Sequence, residues 1–394
     1  MTAANAAPTP SCPCCGSAGI EPFFQIAQAP IFSLVTVKSR AEALAVPRKD
    51  IELGFCRNCG FIFNRLYDTR IDYFTLGYED QQGFSKTFMT YLTRISEDLI
   101  ARHHLRGKTL LEIGCGKGDF INLLATLAEA RGIGVDPAYE EGRQTNPRLS
   151  FHREFYGPQH GLLGADFLCC RHTLEHIFHT RDFLQLIRSS LIPGRRPVLF
   201  FEVPDIGRIL DLSAFWDIYY EHCSYFSPGS LARLFRRTGF EVSALRLDYS
   251  DQYVLIEAAP GEPDGKTLPA EESVAELSER VERFKARVKQ QLREWRDRLT
   301  QMKADRKKVV IWGGGSKAVG FLTNFADLSL VDHVVDINPN MANNFIPGIG
   351  CQYVQPSFLA DYQPDVVIVM NGVYEAEITR SLHEMGVFAE VCAL

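Results

Sequence analysis

Leu110-Leu111-Glu112-Ile113-Gly114-Cys115-Gly116-Lys117-Gly118 is an apolar strand that runs straight into a glycine-rich turn, with an amphipathic run from Phe120 to Leu127 behind it. Such a turn brings bare backbone against a ligand at the start of a helix. The glycines recur at steps of two, and Asp119 stands where a dinucleotide-binding G-x-G-x-x-G needs its third glycine. A pyrophosphate loop is therefore the poorer reading. Glu112 lies just ahead of the first glycine, and Asp136 ends the next apolar run, Gly132-Ile-Gly-Val-Asp136. This pair of acids suits a ligand with a ribose and a cationic amino-acid end.

From about residue 109 to 259 apolar strands alternate with helical stretches, as a parallel sheet with crossover helices requires. Strands are expected over 109–113, 131–135, 149–154, 165–170, 197–203, 241–247 and 253–258. Seven strands with the ligand turn after the first make a doubly wound plan, with the ligand across the carboxyl ends where Glu112, Asp136 and the segment after Cys170 converge. The motif resembles that of the class I S-adenosylmethionine-dependent methyltransferases. The resemblance implies S-adenosylmethionine as the ligand of Glu112, Gly114, Gly116, Gly118 and Asp136.

The chain has 394 residues, 46% of them hydrophobic, and a formal charge of -6. That is enough for two or three domains with their own cores. No basic excess points to nucleic acid. The opening segment lacks an apolar signal region, and no stretch approaches the ~20 apolar residues of a membrane span. A cytoplasmic enzyme acting on a small molecule, with no membrane or nucleic-acid partner, is the expectation.

Four of the eleven cysteines form two C-x2-C knuckles, Cys12-Pro-Cys-Cys15 and Cys56-Arg-Asn-Cys59, each followed by a glycine. Together they offer a tetrahedral sulfur site, which favours structural zinc. Cys14 is the rival ligand to Cys12 or Cys15. The insert of about 40 residues between the knuckles should hold strands, expected over 31–37 and 49–55.

Two polar clusters follow strands of the central unit: Arg171-His172-Thr173-Leu174-Glu175-His176, and Tyr219-Tyr220-Glu221-His222 continuing to Pro228. Methyl transfer to carbon needs a base that makes a carbanion or enolate, and an imidazole suits that task near neutral pH. His222 is the candidate base. Glu221 would orient it or bind an acceptor hydroxyl, and His176 would polarise a carbonyl oxygen or share proton transfer.

After a Pro-Gly linker at 260–265, apolar residues recur at steps of three and four from Val274 to Met302, which is one long amphipathic helix. Its stripe is expected to pack on the methyltransferase unit, leaving a monomer, with a dimer contact as the alternative. The last 90 residues open a second α/β unit: Lys307 to Trp312 leads into Gly313-Gly-Gly315-Ser316-Lys317-Ala318, and Asp336 ends the next strand. Here the spacing does satisfy G-x-G-x-x-A, so Gly315, Ser316 and Lys317 make a phosphate cradle and Asp336 lies near where a ribose-binding acid belongs. A nicotinamide cofactor at the Gly313 turn is the alternative reading.

Taken in order, these parts resemble the three-domain, zinc-containing sugar C-methyltransferases that act on nucleotide-linked 4-keto-deoxysugars. The implied fold class is α/β throughout. A zinc-binding module spans 1–70, a seven-stranded Rossmann-like methyltransferase domain 71–260, a linker and long helix 261–305, and a small Rossmann-like substrate-binding domain 306–394. The resemblance rests on Cys12, Cys15, Cys56 and Cys59, on Glu112 to Gly118, on Leu174-Glu-His176, on Tyr220-Glu221-His222, and on Gly315-Ser316-Lys317 with Asp336. It implies His222 as the base beside a keto group, Glu221 on the sugar, and His176 and a tyrosine at the reacting face. Tyr78 is the candidate for that tyrosine and Tyr73 its competitor. It also implies a dTDP-type nucleotide sugar held by the last domain; O-methylation of a sugar or other metabolite needs the same base and donor. Two stretches depart from the family pattern: Tyr249-Ser-Asp251-Gln252-Tyr253 replaces a histidine-glycine-glycine run, and Gly-Gly-Ser precedes Lys317 in place of an alanine-proline pair.

Overall fold

A computed structural model describes residues 11–71, 77–79, 81–263 and 265–394. The opening segment and Tyr73 lie outside the described residues. The central sheet has seven strands in the order Phe240–Asp248, Tyr253–Pro260, Val198–Pro204, Phe167–Arg171, Thr109–Ile113, Arg131–Val135 and Leu149–His152. The last five are mutually parallel, and Tyr253–Pro260 runs antiparallel between its two neighbours. This is the class I Rossmann-like methyltransferase fold. Thr109–Ile113 sits inside the sheet with both faces covered, so its alternating residues serve two cores. Leu110 packs with Phe120, Ile121 and Leu124, whereas Leu111 and Ile113 pack with Leu168, Leu199 and Phe201.

A second sheet pairs Ile20–Pro30, Arg48–Cys56, Ile62–Asn64 and the two-residue strand Ser224–Tyr225. The strand expected over 31–37 is not formed, and the true partner of Arg48–Cys56 is Ile20–Pro30. Pro22 and Pro30 disguise that segment, but as an edge strand it tolerates their missing amides. The 31–37 segment alternates buried Ile31, Ser33 and Val35 because it threads between other parts of the chain, with isolated bridges from Val35 to Tyr78 and from Val37 to Phe345. The third sheet is parallel, in the order Gln352–Val354, Val331–Val335, Val309–Trp312, Val366–Val369 and Glu390–Ala393.

The helix Val274–Ala304 starts on a Ser273–Glu276 capping box and is ~46 Å long at 1.5 Å per residue. Its stripe is covered inside the chain. Phe284 meets Phe23 and Phe24 edge-on at 5.9 and 5.2 Å, and Trp295 meets Phe321 at 5.2 Å. The helix also packs on Ile206–Leu212 of the central unit. None of the helices among the described residues is long and apolar enough to cross a membrane. Phe284 is fully buried, and Phe284→Ala is expected to cost about 3–5 kcal/mol, read as a lower denaturant midpoint.

Candidate active site

Both knuckles close in the same way. Gly16 N donates to Cys12 O at 2.7 Å and Gly60 N to Cys56 O at 2.8 Å, and both glycines take left-handed φ, +78° and +77°. One sulfur each from Cys12, Cys15, Cys56 and Cys59 lies within 4.8 Å of the other three. The Cys12–Cys59 and Cys15–Cys56 separations are 3.7 and 3.6 Å. A tetrahedral zinc with ~2.3 Å Zn–S bonds needs sulfur edges of ~3.8 Å, so the four thiols fit that ion. Cys14 is buried beside them but is not one of the four. From Cys59 the chain enters Ile62–Asn64, which pairs Ile62 with Tyr225 and Phe63 with Ser224. The cysteine cluster is thus one short strand away from the His222 loop.

At the glycine turn, a Cβ on Gly114 would stand 2.1 Å from Thr173 Oγ1, so the turn and the first histidine segment close on each other only through glycine. Glu112 is buried and accepts from Ile121 N at 3.0 Å. Burial pushes its carboxyl up to about 8 against the pull of Arg171. Asp136 accepts from Gly116 N and Ala138 N at 2.8 and 2.7 Å. The third sheet repeats this arrangement: Asp336 accepts from Gly314 N and Asn338 N, both at 2.8 Å. Between the two turns stands Glu79, unanticipated from sequence. It pairs with Lys117 Nζ at 2.5 Å and accepts from the side-chain amides of Asn338 and Asn340 at 2.9 and 3.2 Å.

The histidines lie together. His176 and His222 rings are 4.8 Å apart and nearly perpendicular. His176 Nδ1 is 3.1 Å from the Glu221 carbonyl, so its neutral ring carries the proton there and keeps Nε2 as the acceptor. Tyr219 OH lies 3.1 Å from His222 Nε2. Burial pushes both imidazoles below their usual value, and neighbouring positive groups push His222 well below. His172 behaves oppositely: burial lowers it, but Glu175 and Glu202 outweigh that and hold it at about 9. Glu221 does not face His222. Its carboxylate accepts from Ser33 Oγ, which is 2.8 Å from Ser316 Oγ, so the acid ties all three units together.

Lys317 Nζ pairs with Asp217 at 2.9 Å and approaches Gln252 Oε1 at 3.3 Å. Gln252 and Asn371 exchange amide hydrogen bonds at 2.9 and 2.8 Å. The departure at 249–253 has a structural counterpart, since Tyr249, Ser250 and Asp251 all take positive φ of 53° to 58°. Three non-glycine residues in that region cost about 1–2 kcal/mol each. The turn delivers Gln252 to Lys317 and Tyr249 OH to Tyr374 OH at 2.7 Å.

A single cavity of about 1380 Å³ is lined by Glu112 to Lys117, Asp136, Tyr78, His176, Tyr219, His222, Gly313 to Lys317 and Asp336. Of the residues singled out in the sequence for the reacting face and the two turns, Gly118 and Glu221 do not line it.

The family described as a methyltransferase domain matches residues 86–245, and the family described as a C-methyltransferase C-terminal domain matches 258–388. The chain is an S-adenosylmethionine-dependent methyltransferase that carries a C-methyltransferase C-terminal domain. It is similar to C-methyltransferase NovU of Streptomyces niveus, 26% identical over 299 residues, covering 69% of this chain and 68% of that one. Magnesium protoporphyrin IX methyltransferase of Synechocystis PCC 6803, solved with bound SAH, aligns with a TM-score of 0.35 at 16% identity over 44% of this chain and 84% of its own. A 1,6-didemethyltoxoflavin-N1-methyltransferase of Burkholderia thailandensis aligns at 0.34 and 15% identity over 43% and 79%.

In this methyltransferase, sequence reading passed over Tyr219, Glu175, Ser33, Glu79 and Gln252. Tyr219 and Glu175 stood inside the two polar clusters and Gln252 inside the departing stretch at 249–253, whereas Ser33 and Glu79 carry no motif. His172 gives a pH signature. An unfolded imidazole titrates near ~6.5, so the stability from its raised folded pKa is whole below that and is lost as pH climbs through about 9. The fall in Tm between pH 7 and 9.5 should be smaller in His172→Gln than in the parent, and equal falls would contradict the assignment.

Proposed function

We propose that this methyltransferase acts at the carbon beside the ketone of a dTDP-linked keto-deoxysugar through a base-generated enolate. The observation that carries the reading is the single cavity that runs from the Glu112–Gly118 turn, past His176 and His222, to the Gly313–Lys317 turn. The helix Ser316–Thr323 starts on Gly315 with no side-chain cap, which supports its first amides and Lys317 as the phosphate cradle, with Asp336 as the proposed ribose ligand. The similarity to C-methyltransferase NovU and the match to the C-methyltransferase C-terminal domain support carbon as the acceptor atom.

Bound S-adenosylmethionine supplies an electrophilic methyl group on a sulfonium sulfur that leaves as a thioether. The residues of the chain do the rest. Glu112 and Asp136 hold the donor's amino-acid and ribose ends. His222, kept neutral by burial, takes the proton from the carbon beside the ketone, and Tyr219 fixes its Nε2 edge. His176 shares that proton rather than polarising the carbonyl, because its Nδ1 proton is committed to Glu221 O. Tyr78 lies at the same cavity wall. Holding carbon and methyl in line supplies much of the acceleration.

Reaction of methyl-labelled donor with a panel of dTDP-keto-deoxysugars should give a product heavier by one methyl with the label on carbon. His222→Asn should lose at least ~100-fold in turnover while donor binding by calorimetry is unchanged. A methyl ether in the product, or full activity in the variant, would overturn the reading. For the four-cysteine site the proposal is structural zinc. Metal analysis should find one zinc per chain, lost in Cys56→Ser and Cys59→Ser, and chelation should lower Tm and turnover together, since Ile62–Asn64 links the cluster to Ser224–Tyr225.

A further inference from the structure

Burial leaves His222 with a problem. Every cation near it opposes its protonation: His176, His172 and Lys317 all push the same way, while Tyr219 and Tyr225 are neutral. A base that cannot carry a proton is no base, so the pair needs a negative charge. Glu221, next in the chain, is poorly suited: it is turned to Ser33, and burial raises its carboxyl to about 7.

Glu175 is the carboxylate that faces the imidazoles. It sits in the single turn Leu174–His176 after the strand Phe167–Arg171, is 2% exposed, and neither oxygen accepts a hydrogen bond among the described residues. One Glu175 oxygen and one ring nitrogen each of His176 and His222 lie within 4.8 Å of one another. Its Oε1 is 3.6 Å from His172 Nδ1. The turn is anchored to the base loop by Cys223 N donating to Glu175 O at 3.0 Å. A buried carboxylate without hydrogen bonds is costly unless cations answer it, and here what answers it is a ring of imidazoles.

We infer that Glu175 is the positioning residue that carries the counter-charge for the proton taken up by the His176–His222 pair. The proton passes from the substrate carbon to a ring nitrogen and is not relayed to Glu175. This role rests on the enolate reading of the site, but the charge coupling itself is measurable without any acceptor.

The test is a carbon-13 histidine NMR titration of the full chain without substrates, with His176 and His222 signals assigned through His176→Asn and His222→Asn. In Glu175→Gln the His176 titration should fall by about one to three pH units, the range for loss of an opposite charge within 4–6 Å. Glu221→Gln and Glu175→Asp, which keeps the charge, should leave it nearly in place. An unmoved His176 titration in Glu175→Gln overturns the inference, as does an equal fall in Glu221→Gln. If Glu175→Gln does not fold, the labelled Glu175 carboxylate of the parent protein decides. Its signal should move with the His176 titration, and a flat signal across that interval overturns the coupling. Product formation with dTDP-keto-deoxysugars is read separately, so a failed substrate assignment leaves this result standing.

Discussion

The pairing of Ser224–Tyr225 with Ile62–Asn64 is the constraint on which the site depends. Two residues of the central unit leave their own domain to become the edge of the cysteine-bearing sheet. His222 lies two residues before them, and Cys59 three before Ile62. Asn64 N donates to Cys223 O at 2.9 Å and Ser224 Oγ to Ile177 O at 2.7 Å, so the His222 loop is tied to both the cysteine-bearing sheet and the His176 turn. The cysteine cluster is therefore linked through one strand pair to the loop that carries His222. Arg233 Nε donating to Cys59 O at 2.9 Å gives the knuckle a second hold on the central unit.

Around that loop, charge is arranged by burial. Arg171 and Glu202 form a buried bidentate pair at 3.0 and 2.8 Å, and Glu202 also reaches His172 Nε2 at 2.9 Å. Such a pair is costly to bury and stabilising only because its hydrogen bonds are met. The lysines of the two glycine turns are compensated as well, Lys317 by Asp217 and Lys117 by Glu79. The two glycine turns, each with one amide held by an acid, line one cavity. Donor and acceptor are thereby expected to meet over the imidazoles.

Much of this was legible from residues alone. Thr109–Ile113 and Arg131–Val135 fall where the apolar runs place them, because parallel strands covered on both faces read as unbroken apolar segments. The four cysteines and the two glycine turns were visible because their chemistry demands fixed spacing. Ile20–Pro30 was not, since prolines at an edge strand look like a break. Ser33, Glu79 and Gln252 escaped because each acts across units far apart in the chain, a relation that carries no local period. Glu221 was visible as a residue to orient His222 or bind an acceptor hydroxyl, but its link to Ser33, 188 residues away, was not.

The most direct test of the enolate account is solvent exchange. With S-adenosylhomocysteine bound and a dTDP-keto-deoxysugar acceptor in deuterated water, the protein should wash deuterium into the carbon beside the ketone, and His222→Asn should not. No exchange in the parent protein with an acceptor that it methylates, or exchange unaffected by loss of His222, would contradict a base-generated enolate at this site.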